Sequence, residues 1–192
     1  MKLKLFTFIP VLLLVLSTGC GSTKRALTTP STPEQPVSPS SQAPAATDYH
    51  NPSTWLLGYF DPARLRQAPY SEWYIKGMDD YMPKTDALNR LYDIPKDNLT
   101  IKIVMGSWCP DSRREVPRFM KILELWQFPA DKVTFVGVDE EKNSPVGDYA
   151  SLNIVRVPTF IFYKNNSETG RIIEVPKTSL EQDMVNILSG NE

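Results

Sequence analysis

The chain has 192 residues, 41% of them hydrophobic, and a formal net charge of -1. That length allows one ordinary domain with appended segments, and interspersed charges of both signs leave no electrostatic footprint for nucleic acid. Two cysteines, Cys20 and Cys109, are too few for a disulfide-stapled scaffold, so the core must rest on apolar burial.

The chain starts with a basic head at Lys2 and Lys4. An apolar stretch from Leu5 to Leu16 follows, then the small-residue run Ser17-Thr18-Gly19-Cys20. That order reads as a signal peptide over 1–19, too short and wrongly flanked for a membrane span. Leu16-Ser17-Thr18-Gly19-Cys20 resembles a bacterial lipobox, with Ser17 where leucine is usual. The resemblance implies cleavage before Cys20 and lipidation of its sulfur, which could then not pair with Cys109. It places the protein in the bacterial cell envelope, anchored in a membrane through Cys20; several acyl chains make such an anchor stable. Gly21 stands where an Asp would signal inner-membrane retention, so an outer-membrane anchor facing the periplasm is expected. Residues 20–47 are rich in Ser, Thr, Pro, Gln and Ala and nearly devoid of large apolar groups. They cannot bury enough surface to offset ordering entropy and read as a disordered tether, spanning on the order of 30 Å as a flexible coil.

Residues 48–98 form an aromatic-rich leader, with Trp55, Tyr59, Phe60, Tyr70, Trp73, Tyr74 and Tyr81. Asp61-Pro62 and Ser71-Glu72 are expected to start helices, and Lys84 to Tyr92 to form another with Leu88, Leu91 and Tyr92 on one face. The aromatics are expected to pack against the domain that follows rather than to line a groove.

From Thr100 the period changes. Thr100 to Met105 is β-rich and ends at Gly106-Ser107. Ser112 to Trp126 recurs helically, with Val116, Phe119, Met120, Leu123 and Trp126 on one face. Val133 to Val138 suits a buried strand. Val157 to Tyr163 and Arg171 to Val175 are two more strands, joined by turn chemistry at Lys164-Asn165-Asn166 and Gly170. Ser179 is expected to cap a last helix running through Leu188. The order β, α, β, mixed connection, β, β, α predicts an α/β fold: a mixed sheet covered by helices on both faces.

Trp108-Cys109-Pro110-Asp111-Ser112 falls between the first of these strands and its helix. Pro117 follows Cys109 by eight residues, and Asn153 to Thr159 holds a Val157-Pro158 pair ahead of the hairpin. In that order these features resemble the thioredoxin family over roughly residues 99 to 189, within a domain expected to span 99–192. The resemblance implies a thioredoxin-like fold behind an N-terminal helical extension. It also implies a cis Val157-Pro158 bond against Cys109, and a substrate shelf made of Trp108, Pro110, Val157 and Pro158.

A thiol at a helix N-terminus meets unpaired N–H groups and the positive end of the helix dipole, both of which favour the thiolate. Ser112, one turn on, is placed to donate its hydroxyl to the sulfur; Arg113 and Arg114 would add positive charge if they face it, and Asp111 would oppose them. Cys109 and Ser112 are therefore the candidate catalytic pair.

Two departures narrow the activity. Ser112 stands where the family carries its second, resolving cysteine, so a mixed disulfide on Cys109 must be resolved by an outside thiol. Ile103 stands where thioredoxins bury an Asp that assists the resolving thiol. The two departures agree. His50, the sole histidine, lies beside the tether, so neither a Cys-His pair nor a metal site is expected. Nothing marks a glutathione pocket, Gly106 stands where a peroxiredoxin would need Thr, and no cofactor is expected. Asp139, Glu140 and Glu141 read as a solvated strand end.

The expected function is monothiol thiol–disulfide exchange with protein or small thiols and disulfides of the envelope. The alternatives are a non-catalytic binding module and a sensor whose Cys109 is oxidised to sulfenic acid.

Overall fold

The structure, a computed structural model, describes residues 46–190. The signal peptide, Cys20 and all but the last two residues of the tether lie outside the described residues. Those described belong to one compact unit.

The leader begins with a 3-10 turn at Pro52–Thr54 and a two-residue strand, β1 (Gly58–Tyr59). A second 3-10 turn, Pro62–Arg66, is capped by Asp61, whose carboxylate accepts the Ala63 N–H at 2.8 Å. Helix α1 (Ser71–Asp80) begins at Ser71 as expected, with Glu72 as the early acid of its first turn and Tyr70 at the cap position. Helix α2 (Thr85–Tyr92) buries Ala87 and Leu91. Tyr92 stays 47% exposed, because its hydroxyl reaches out to donate to the Leu125 carbonyl at 2.6 Å.

Strand β2 (Leu99–Met105) leads into helix α3 (Pro110–Leu125), which starts two residues before the expected Ser112. Strand β3 is Val133–Gly137, followed by a long connection whose regular structure is one 3-10 turn, Tyr149–Leu152. Strands β4 (Thr159–Lys164) and β5 (Ser167–Ile173) form a hairpin turned by Asn165 and Asn166, both at positive φ as a tight hairpin requires. Gly170 lies inside β5, opposite Phe162 where the register slips, and so serves a bulge rather than the turn. Helix α4 (Leu180–Ser189) is capped by Ser179, which accepts the Gln182 N–H at 3.4 Å.

The five strands lie in the order β1-β3-β2-β4-β5. β2 and β3 are parallel, and every other pairing is antiparallel. The order, the parallel β2–α3–β3 unit and the closing hairpin and helix make this a thioredoxin-like fold, with a mixed sheet flanked by helices. Leader and domain share that sheet, since β1 pairs with β3.

Side chains alternate across β2, so its two faces feed two clusters. Ile101, Ile103 and Met105 join Phe135, Phe160, Phe162 and Ile172 in a large core that takes residues from all four helices. Phe119 of α3 stacks on Phe160 with ring centroids 4.2 Å apart. The opposite face is smaller: Val104, Val136, Val138 and Ile161 pack with Cys109, Leu152 and Val157. Apart from Cys109 at the start of α3, no α-helix contributes to that second cluster; Leu152 comes from the 3-10 turn Tyr149–Leu152. The expected helical cover on both faces is therefore corrected. Pro145, Gly147 and the left-handed Asn153 break up the segment between β3 and β4, which keeps one 3-10 turn.

Helices α1 and α3 meet where Gly77 faces Pro117: a Cβ at Gly77 would lie 2.5 Å from Pro117 Cγ. Gly77→Ala would normally stabilise a helix by about 1 kcal/mol. Here the added methyl must push the helices apart, and overpacking of this kind costs about 1–3 kcal/mol. Gly77→Ala is therefore expected to lower the urea midpoint, and a rise would show that the helices yield.

Buried Glu181 ties the leader to α4, accepting the Tyr81 hydroxyl at 2.8 Å and the Lys84 N–H at 2.9 Å. Burial opposes its ionisation. The hydrogen bonds from Lys84, its own backbone, Tyr81 and Ser179 outweigh that and hold the carboxyl below its usual range. Burial, then the bond to Glu181, pushes the Tyr81 phenol well above its ordinary value. A carboxyl depressed in the folded state stabilises above the unfolded value of about 4.3 and loses that contribution as pH falls through the folded value. Glu181→Gln is expected to be less stable than wild type at pH 7, with the gap between their urea midpoints narrowing from pH 5 to pH 3. A gap independent of pH would contradict the linkage.

Candidate functional site

β2 is the central strand, and the loop Gly106-Ser107-Trp108-Cys109 carries the chain from its end to α3. Cys109 occupies the N-cap position in extended conformation (φ -74, ψ 124), and Pro110 follows as the first helical residue. Proline fits there because that position has no intrahelical N–H partner to lose. The Cys109 sulfur lies 3.3 Å from the Val157 carbonyl, to which the thiol donates. The Val157-Pro158 peptide is cis. The structure thus brings Cys109, Val157 and Pro158 together as the resemblance implies. Cys109 is a free cysteine with 7% of its surface exposed.

Trp108 lies over Gly106: a Cβ there would come within 2.5 Å of the indole. Its Nε1 donates to the Val138 carbonyl at 3.0 Å, leaving the ring half-buried beside the thiol. Pro110 is exposed at the mouth of the site.

Ser112 is fully buried and differs from expectation. Its hydroxyl accepts the Gly106 N–H at 3.3 Å, while the sulfur faces Val157. Ser112 therefore holds the loop, and the hydroxyl–sulfur bond that its spacing allows is not the one formed. Arg114 also turns away from the sulfur, pairing with Asp111 at 2.7 Å and with buried Glu115 at 2.6 Å. Glu115 takes Arg118 as well, at 3.2 Å. Asp111 is thereby matched by a cation of its own turn.

Two participants lie outside the expected pair of Cys109 and Ser112. Buried Ser107, read from sequence as the end of a strand, donates to the Thr54 carbonyl at 3.1 Å and accepts the Leu56 N–H at 3.1 Å. Arg113 donates to the carbonyls of Ser107 at 3.5 Å and Trp108 at 3.2 Å. Its guanidinium lies 4.3 Å from the centre of the Tyr49 ring. No local signal marks the contacts with the leader, because the partners are some fifty residues or more apart in the chain. His50 is exposed and lies against Glu140, 3.0 Å away. Among the described residues no group of three or more His, Cys, Asp or Glu is placed to hold a metal ion.

No family model matches the chain. A thioredoxin-like protein of Acanthamoeba polyphaga mimivirus is 28% identical over 79 residues, which is 41% of this chain and 55% of that protein. The similarity is thioredoxin-like and weak. The chain spans about half the length of that curated relative. A Pseudomonas aeruginosa protein of unknown function aligns with TM-score 0.45 and 14% identity over 64% of this chain and 82% of its own. Oxidised thioredoxin O2 of Arabidopsis thaliana aligns with TM-score 0.36 and 22% identity over 54% and 84%.

The loop geometry sets a test for Ser112. Ser112→Ala removes the acceptor of a buried backbone N–H, a loss worth about 1–3 kcal/mol. The variant is expected to unfold at a lower urea concentration. An unchanged midpoint would mean that Gly106 finds another acceptor.

Proposed function

We propose that the chain is a monothiol thioredoxin-like exchange protein of the bacterial envelope, held to the membrane by lipid on Cys20. Cys109 is its nucleophile, and protein or small thiols and disulfides are its partners. The observation that carries the reading is the Cys109 sulfur at the start of α3, 3.3 Å from the carbonyl of a cis Val157-Pro158 bond. A thiol so placed stands at the positive end of the α3 dipole and against a backbone carbonyl with which an extended substrate could pair. The weak thioredoxin-like similarity supports redox chemistry of this general kind.

The Cys109 thiolate attacks one sulfur of a substrate disulfide. That S–S bond breaks, the other substrate sulfur leaves as a thiolate, and a mixed disulfide remains on Cys109. The proton that Cys109 gives up is the one held against Val157, so ionisation frees the Val157 carbonyl to accept an N–H from an extended substrate. Trp108 and Pro110 flank the approach, and Pro158 backs it. Ser112, with no sulfur, cannot resolve the mixed disulfide. An outside thiolate attacks the substrate-derived sulfur and releases Cys109.

The test is to trap mixed disulfides on the full-length chain and to compare Cys109→Ala and Ser112→Cys. Wild type is expected to hold a trapped partner until an outside thiol is added, and Cys109→Ala to hold none. Ser112→Cys is expected to discharge the partner unaided, as the introduced thiol closes an internal disulfide with Cys109. Absence of any trapped partner on wild type, with partner binding unchanged in Cys109→Ala, would favour a non-catalytic binding module instead.

A further inference from the structure

The loop that carries the thiol is short of its own hydrogen-bond partners, and side chains fill the gap. Each carbonyl from Gly106 to Cys109 is engaged. Gly106 takes the Cys109 N–H at 3.0 Å, and Cys109 takes the Arg113 N–H at 3.1 Å. The two carbonyls between them, Ser107 and Trp108, are both served by the Arg113 guanidinium. That guanidinium is itself placed by the Tyr49 ring, and the Tyr49 hydroxyl is tied to the Pro69 carbonyl at 2.7 Å. On the other side of the loop, Ser107 closes a two-way clasp with Thr54 and Leu56. Residues 49–56 therefore reach the thiol loop at two points, through Arg113 and through Ser107.

We propose that this leader segment is part of the thiol site, with Ser107, Arg113 and Tyr49 as positioning residues that hold Trp108 and Cys109 in register with Val157. The proposal rests on the exchange reading above and deepens it. One guanidinium nitrogen, Nη1, serves both carbonyls while the guanidinium carbon lies 4.3 Å from the centre of the Tyr49 ring; Lys, without the planar group, does not reproduce that seating on the ring. Buried Ser107 is fully paired, so its loss releases both Thr54 and Leu56. Attack on a disulfide requires near-linear approach along the S–S bond, and a displacement of about 1 Å at the reacting atom can cost up to a hundredfold in rate.

The test uses the full-length chain with Cys20→Ser, so that Cys109 is the sole thiol. Its probe is the aromatic disulfide 5,5′-dithiobis(2-nitrobenzoate). Cys109 displaces one aromatic thiolate, which is read by its absorbance, and keeps the other half as a mixed disulfide. Rates are taken under native conditions beside urea midpoints. Arg113→Lys, Ser107→Ala and Tyr49→Leu are expected to react about tenfold more slowly than wild type. Tyr49→Phe, which keeps the ring under the guanidinium, is expected to recover most of the rate lost in Tyr49→Leu. Ile187→Val, remote in α4, is expected to lower the midpoint without slowing the reaction, separating positioning from stability. Should Ser107→Ala fail to fold, the Tyr49 pair decides at a half-buried position. If wild type reacts and Arg113→Lys and Tyr49→Leu match it within twofold, the positioning role is overturned while the exchange reading stands. If folded wild type reacts no faster than the urea-unfolded chain, both fall.

Discussion

β2 is paired on both sides and feeds a cluster on each of its faces, so it cannot end in solvent. The chain must leave a buried strand, pass Gly106 to Cys109 and start a helix with its polar backbone satisfied on the way. That constraint organises the neighbourhood of the thiol. Ser112 takes the Gly106 N–H, Arg113 takes two carbonyls, and Trp108 closes over a position that only glycine can occupy. The sulfur is what remains at the end of this accounting. It is turned to the Val157 carbonyl across from it.

The two faces of the sheet serve different ends. The larger core takes all four helices and holds the stacked Phe119 and Phe160, where truncating a large side chain typically costs about 3–5 kcal/mol. The smaller cluster has the thiol at its margin and is covered by a connection of low helical content. The four α-helices thus pack on one face of the sheet, and the thiol lies at the margin of the other. The leader joins both roles. Tyr74 and Met78 enter the large core, while Tyr49, Thr54 and Leu56 reach the thiol loop. Glu181 locks that leader to α4 from behind.

Much of the fold was legible because it depends on local period. The β-rich run from Thr100 to Met105, the helical recurrence from Val116 to Trp126, the Asn165-Asn166 turn and the Ser179 cap each follow from chemistry within a few residues. The errors share a cause. β1 is two residues long and exists through pairing with β3, which no local pattern records. Gly170 has the chemistry of a turn, but it serves a bulge set by its partner strand. Ser112 and Arg114 are spaced to face the sulfur, yet each has a nearer claimant, the Gly106 N–H and two carboxylates.

By itself the amino-acid sequence determined that one cysteine would stand at the start of a helix after a β-rich run, that no second thiol would follow one turn on, and that a Val-Pro pair would precede the hairpin. Those are matters of residue identity and spacing. Tertiary structure alone decided which groups the thiol and its loop would meet. It set the sulfur against Val157, gave Ser112 to the backbone, and brought Tyr49, Thr54 and Leu56 to Arg113 and Ser107. The physical reason is that a buried polar group must find a partner wherever the packed chain supplies one. Across fifty residues, that supplier is chosen by packing and leaves no mark in the local sequence.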